Sequence, residues 1–330
     1  MTEFFRRGLL GAGATLLAAP ALVRDAMAQP RWPARPVQMI CPWAAGGGTD
    51  AVVRIIASLL EKDLGQPFNV VNRTGGSGVV GHAAIASANP DGHTLGMITA
   101  EICMLHWQGL TELTYRNYTP LGLMNNDPPG IQVNASAPYQ NVGQLAEAIK
   151  ASRPGQFKAS GTGQGGIWHL ALAGWLLALG LPAGHVRWVP SNGAAPAMQD
   201  LVAGGLDFTT NSVVEARAML DAGRARSLAV MSGERLGAFP NIPTLKEAMG
   251  IDYSSGAWRG IAAPLNIPAA ARTAMNAALD RVFKSQDYID FMNARGFGLL
   301  YADSAGFGRH LEQADTSLGD AMKAAGLART

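Results

Sequence analysis

The sequence predicts an α/β fold of two lobes, and two observations point there. Apolar, strand-like runs alternate with helix-like segments along the chain, the pattern of a parallel sheet with connecting helices. Glycine-rich turns follow strand ends at three separate places, 46–48, 161–166 and 192–193, and in open α/β sheets ligands sit at the carboxyl ends of the strands. Three such loops, far apart in sequence, suit the walls of one cleft between two lobes.

The elements follow in order. VQMIC (37–41) reads as a buried strand, and DAVVRIIASLLEKDL (50–64) carries apolar residues at helical spacing with Gly65 as its stop. FNVV (68–71) is the next strand, GSGVVGHAAIASA opens a second helix, and DGHTLGMIT gives a turn and a third strand. GIQVN (130–134) precedes a helix near 141–151, and FKAS (157–160) leads into a glycine-rich stretch and an apolar helix, 167–180. HVRWVP (185–190), LDFTT (206–210) and RSLAVM (226–231) alternate with helices at 194–203 and 213–222. AWRGIAAP (257–264) reads as a return strand, after which the chain is helical from 268 to its end, broken near 297–302.

With 330 residues, 48% hydrophobic and 15% charged, the chain can bury real cores in two lobes. The formal net charge of +2 comes with no Lys/Arg-rich run, and nucleic acid needs a basic footprint, so no nucleic-acid partner is expected. The first 28 residues read as a signal peptide: Arg6 and Arg7, an apolar stretch from Leu9 to Val23, then Ala26-Met27-Ala28 as the cleavage pattern. The adjacent arginines suggest the twin-arginine route, and cleavage is expected after Ala28. A monomeric periplasmic protein follows. An oxidising compartment permits a bridge between Cys41 and Cys103, but two buried free thiols are the expectation.

The loop CPWAAGGGTD (41–50) poses the functional question. It is no P-loop, because Thr49 and Asp50 follow the glycines and no lysine does. Backbone N–H groups at a helix start still hold anions without any basic side chain. Asp50 near the start of its helix complements the dipole. A competing signal is Gly76-x-Gly78-x-x-Gly81, with Glu101 twenty residues beyond Gly81, which matches a dinucleotide fingerprint and would make the protein an exported NAD(P)-dependent oxidoreductase. Against it, Arg73 and Thr74 separate strand from glycines, and no hydride-transfer constellation accompanies it. There is no G-x-S-x-G elbow, no HExxH and no CxxC, so neither catalytic residues, nor a metal, nor a cofactor is expected. His169 reads as an orienting or satisfied histidine, and Trp168 equally as core or cleft wall. Glu101 is expected at the cleft or its rim. There it is turned away, paired with a base such as Arg259, or set to bind a donor on the ligand.

Five segments together resemble the Bug family, the solute-binding proteins of tripartite tricarboxylate transporters. PWAAGGGTD, NRTGGSGVVGHAAIASANPDGHTL, GTGQGGIWHLA, VPSNGAAPAMQDLVAGGLDF and FPNIPTLKEAMGIDY match that family's motifs in order, and the similarity spans 34–327. The resemblance implies a periplasmic-binding-protein-like fold: two α/β lobes joined by crossing hinge strands, closing around a ligand cleft. Lobe 1 would be 30–129 plus 252–330, and lobe 2 would be 130–251. It implies a small carboxylate or related organic solute as ligand, a membrane permease of the tripartite type or a sensor kinase as partner, and binding rather than catalysis. The family's first loop, here Trp43, Ala44, Ala45, Gly46, Gly47, Gly48 and Asp50, would hold a ligand carboxylate with backbone groups and waters. Ser160, Thr162, Gln164 and Trp168 would meet the ligand from the second lobe, joined by Ser191, Asn192, Asn211 and Ser212. Ser191 stands where the family has an aromatic residue, and Gly165 to Trp168 make the second-lobe loop smoother and more apolar. These departures also admit an aromatic or partly apolar acid.

Overall fold

The computed structural model describes residues 32–329. The expected signal peptide, its cleavage after Ala28 and the first two residues assigned to lobe 1 lie outside the described residues. From Trp32 onward the chain forms one compact unit.

β1 (Val37–Cys41) runs into α1 (Gly48–Leu64), which buries Val52, Val53, Ile56, Ala57 and Leu60 along one stripe. Gly65 ends the helix in the left-handed region (φ 72°) and returns its N–H to the Glu61 carbonyl, a conformation in which a Cβ is costly. β2 (Phe68–Asn72), α2 (Val79–Ala86), β3 (Thr94–Thr99) and β4 (Tyr118–Asp127) follow. After only Pro128 and Pro129 the chain enters β5 (Gly130–Asn134) of a second sheet. There it builds α3 (Val142–Lys150), β6 (Lys158–Ser160), α4 (Ile167–Ala178), β7 (Arg187–Trp188), α5 (Ala194–Ala203), β8 (Phe208–Thr209), α6 (Val213–Asp221) and β9 (Ala225–Val230). A short α7 (Leu245–Met249) precedes the return through β10 (Ala257–Pro264). The chain closes with α8 (Ala269–Lys284), α9 (Gln286–Arg295), β11 (Leu299–Asp303) and α10 (Ser304–Ala324).

The first sheet has the order β11-β4-β10-β3-β1-β2 and the second β7-β6-β8-β5-β9. Both are mixed, where the strand–helix alternation predicts parallel sheets. β1 is parallel to β2 and β3, and β6 to β7 and β8. The returning strand β10 inserts antiparallel between β3 and β4, and β5 is antiparallel to β8 and β9. A strand that re-enters a sheet from outside is freed from the right-handed crossover that enforces parallel pairing. β4 escapes sequence reading because Pro120, Gly122 and the polar run Asn125-Asn126-Asp127 break its apolar pattern. β11 occupies the break near 297–302 in the C-terminal helical stretch.

All eight residues of β10 are buried, which fixes the centre of the first sheet. One face of that sheet packs Met39, Met97 and Ile261 against α1 and α8. The core on its other face continues without interruption into the second sheet, through Ile102, Met104, Ile167 and Trp168. The two passages between the sheets lie side by side: Gly130 N–H donates to Asn211 O (3.0 Å), Met231 N–H to Pro129 O (2.8 Å) and Ser255 N–H to Met231 O (3.2 Å).

Candidate functional site

The loop after β1 is fixed by one carboxylate. Asp50 accepts the Gly46 N–H at 3.0 Å, Arg54 Nε at 2.9 Å and Asn72 Nδ2 at 2.9 Å, and the same Asn72 amide donates to Trp43 O at 2.9 Å. Burial works against this carboxylate, but Arg54, the Gly46 amide and Asn72 outweigh it and hold its pKa below the ordinary value. Trp43 Nε1 donates to Thr99 Oγ1 at 3.3 Å, fastening the loop to the end of β3. α1 then begins with Gly47 at its N-cap and no side chain capping its first amides.

Two helices of the second sheet begin the same way. α4 has Gly166 and α5 has Gly193 at the N-cap, again with no side-chain cap. The loop into α4 is ordered by His169, whose Nδ1 accepts the Gly165 N–H at 3.0 Å while its ring stacks on Trp188 at 4.7 Å. Burial pushes the imidazole pKa down to about 4, so it stays neutral and able to accept. By contrast, α6 is capped in full by Ser212 and Glu215.

These three N-termini, none capped by its own N-cap residue, meet at one cavity, lined by Gly47 to Thr49 of α1, Ile167 and Trp168 of α4, and Gly193 and Ala194 of α5. An α-helix start carries unsatisfied N–H groups and roughly half a positive charge, so the convergence favours an anion. The cavity measures about 20 Å³, room for about one water centre. The sheets close on each other around it. Ala44 N–H donates to Asn192 O at 3.0 Å, and Gln108 Nε2 to Gly165 O at 3.1 Å.

The cavity also holds charge. Arg259 of β10 donates from all three of its nitrogens: Nε to Thr49 Oγ1 (3.0 Å), Nη1 to Asn125 and Asp127, and Nη2 to Glu215 Oε1 (3.1 Å). The last is an ion pair between the sheets with both side chains buried. Burial raises the Glu215 pKa, with Arg259 opposing. Glu101 is 2% exposed. It accepts Thr99 Oγ1 at 2.5 Å and the Ile167 N–H at 3.2 Å, so it lies inside the cleft rather than on its rim, and Arg259 takes other acids as partners.

Of the residues expected from sequence, Trp43, Ala44, Gly47, Gly48, Thr162 and Trp168 line this cavity. Gly46 borders a neighbouring hollow, and Ser191 and Asn192 another, both along the same seam. Ala45 and Gln164 are exposed. Asp50 orders the loop, Ser160 donates to Val189 O (2.6 Å), Asn211 donates to Ser212 O (3.1 Å), and Ser212 caps α6. Thr49, Thr99, Glu215 and Arg259 were not singled out as ligand contacts. The usable signal was Arg259, a lone cation in an apolar strand, which burial obliges to find acids.

The fingerprint glycines serve packing. A Cβ on Gly81 would lie 2.5 Å from Pro42 Cα, and one on Gly78 would lie 3.1 Å from the Trp43 ring. The amides of Gly78 and Val80 donate to Gly75 O, so these two N–H groups are already taken within the loop. Cys41 and Cys103 are free and buried.

Two sheets joined by two passages, with uncapped helices facing a cavity at the seam, define a two-lobed solute-binding protein. The chain belongs to the tripartite tricarboxylate transporter family of receptors, whose model matches residues 52–327. It is similar to malate-bound MatC from Rhodopseudomonas palustris, with 25% identity and TM-score 0.80 over 88% of this chain and 99% of that one. It is also similar to Rpa4515 of R. palustris with adipate, with 26% identity and TM-score 0.82 over 90% and 99%. The periplasmic binding protein BugD superposes with 26% identity and TM-score 0.81 over 91% and 100%. Membership makes the chain a solute-binding receptor and removes the dinucleotide reading of Gly76, Gly78 and Gly81.

Proposed function

We propose that this receptor works in the periplasm. It captures a small carboxylate between lobe 1 (30–129 plus 252–330) and lobe 2 (130–251) and delivers it to a membrane permease of the tripartite type. Its signal peptide is removed after Ala28, and its work is binding and closure, without catalysis. The observation that supports the ligand class is the meeting of three glycine-capped helix starts at one cavity. Malate and adipate in the two related receptors support the same class. Backbone amides there hold a carboxylate by charge-assisted hydrogen bonds, each worth roughly 1.5–3 kcal/mol.

The ligand itself is accessible by mass spectrometry of small molecules released when the purified receptor is denatured. Calorimetry then compares that acid with its primary amide. Loss of the carboxylate is expected to weaken binding about 10- to 150-fold. Equal affinity for acid and amide would remove the carboxylate from the mechanism.

A further inference from the structure

Glu101 is an acid inside an anion site, and a carboxylate ligand alone does not explain it. Its Oε1 accepts the N–H of Ile167, the first residue of α4. Of the three helix starts at the cavity, that of α4 is therefore answered by an acid of the protein, leaving those of α1 and α5 for a ligand. Beside it lies Thr162 Oγ1, 5% exposed as a residue, lining the cavity and without a hydrogen-bond partner among the described residues. The two oxygens flank one point of the cavity wall: a Cβ built on Gly166 would stand 3.1 Å from Thr162 Oγ1 and 3.3 Å from Glu101 Oε1. Arg259 attracts Glu101 only weakly, because Asp127 and Glu215 are its nearer and stronger acid partners and no N–H of its guanidinium is donated to Glu101. A second ligand carboxylate at this end would face an acid in a water-poor space, where like charges repel strongly.

We propose that Glu101 and Thr162 form an acceptor pair that reads an N–H donor at the ligand's far end. The receptor then takes a small acid with one carboxylate and a terminal N–H donor, such as a carboxamide, and discriminates against the dicarboxylate of the same length. This rests on the carboxylate reading above, with α1 and α5 holding the single carboxylate.

The test is calorimetry on the purified receptor with matched C4 and C6 probes: succinate, succinamate and succinamide, then adipate, adipamate and adipamide. In at least one length the monoamide is expected to bind about 10- to 150-fold more tightly than the diacid. Glu101→Gln keeps an oxygen for the Ile167 amide and should leave the melting temperature close to the parent's, while narrowing the preference below about 3-fold. Thr162→Val is expected to weaken the monoamide roughly 5-fold. A diacid that binds as tightly as its monoamide overturns this inference and leaves the carboxylate reading standing, as does a preference that survives Glu101→Gln. Binding of the diamides alone overturns both readings, and so does the failure of every probe.

Discussion

Gly48→Ala is the smallest change that tests whether the cleft closes through Glu215. A Cβ on Gly48 would lie 2.7 Å from Glu215 Oε1, 2.8 Å from Glu215 Cγ and 3.0 Å from Arg259 Nη2. Glu215 has little freedom to yield, since Ser212 N–H holds one oxygen at 3.2 Å and Arg259 the other at 3.1 Å. Either its carboxylate turns off Arg259 or the lobes part. Both break one charge-assisted hydrogen bond, worth roughly 1.5–3 kcal/mol. The closed form therefore falls about 10- to 150-fold against the open one. A ligand held only by the closed form loses affinity by up to that factor. Within the first lobe the new Cβ also approaches Arg259 Nη2 at 3.0 Å, an approach the guanidinium can relieve once Glu215 is removed. Titration calorimetry with the tightest of the acid and amide probes reads the effect in four proteins: parent, Gly48→Ala, Glu215→Ala and the double variant. Gly48→Ala is expected to weaken binding several-fold, by up to about 10- to 150-fold, in the parent and less than about 2-fold once Glu215 is gone. Equal losses in both backgrounds, or none in either, would refute closure through this contact.

Two further outcomes follow from buried groups. His82 donates from Nδ1 to Gly78 O (2.8 Å) and accepts Thr99 N–H at Nε2 (3.2 Å). Burial lowers its pKa from 6.5 to about 4, as it does for His169. The folded state thus binds fewer protons than the unfolded one. The stabilisation is complete above pH 6.5 and lost as pH falls towards about 4, on the order of 3 kcal/mol for each histidine. Melting temperatures between pH 7.5 and 4 should show that decline, and a His169→Gln variant with an undiminished slope would contradict it. Burial raises the Cys41 pKa to about 12, so the native protein should react negligibly with an aromatic disulfide reagent and the denatured chain should release two equivalents. Rapid native labelling would show that the thiols are not enclosed.

The fold was legible where local chemistry decides it. VQMIC, its glycine loop and the amphipathic helix ending at Gly65 stand in the structure as their pattern requires. β4 was hidden because its last residues serve a distant one. Asn125 and Asp127 are buried as partners of Arg259, 134 and 132 residues along the chain, and they read locally as a polar turn. The site divides in the same way. Gly47 and Gly48 declare a helix start, so the first loop was readable. Glu215 reads only as half of a capping box, and nothing local shows that its other oxygen meets Arg259 across the cleft. Thr99 likewise looks like the last residue of a strand until Trp43 and Glu101 are seen on either side of its hydroxyl.

The closed cavity constrains how such a receptor can be loaded. Its 20 Å³ admits about one water centre, so a four-carbon acid needs the seam to widen. Loading therefore proceeds from a more open form, and the bound form keeps some contacts of this closed geometry while yielding others. The contacts differ in what opening costs them. The apolar bridge through Ile102, Met104, Ile167 and Trp168 belongs to one continuous core, and parting it would expose apolar surface to water. The Glu215–Arg259 pair lies in the cavity wall, and because opening hydrates both charges its net cost stays near the roughly 1.5–3 kcal/mol of one charge-assisted hydrogen bond. Opening on that side is thus the less costly movement. A ligand carboxylate at the starts of α1 and α5 then supplies new hydrogen bonds between the two lobes. Differential affinity of that kind is what a ligand must have to shift a conformational equilibrium. In the closed geometry Glu101 of one lobe accepts the Ile167 N–H of the other, which makes it part of the wall the ligand meets.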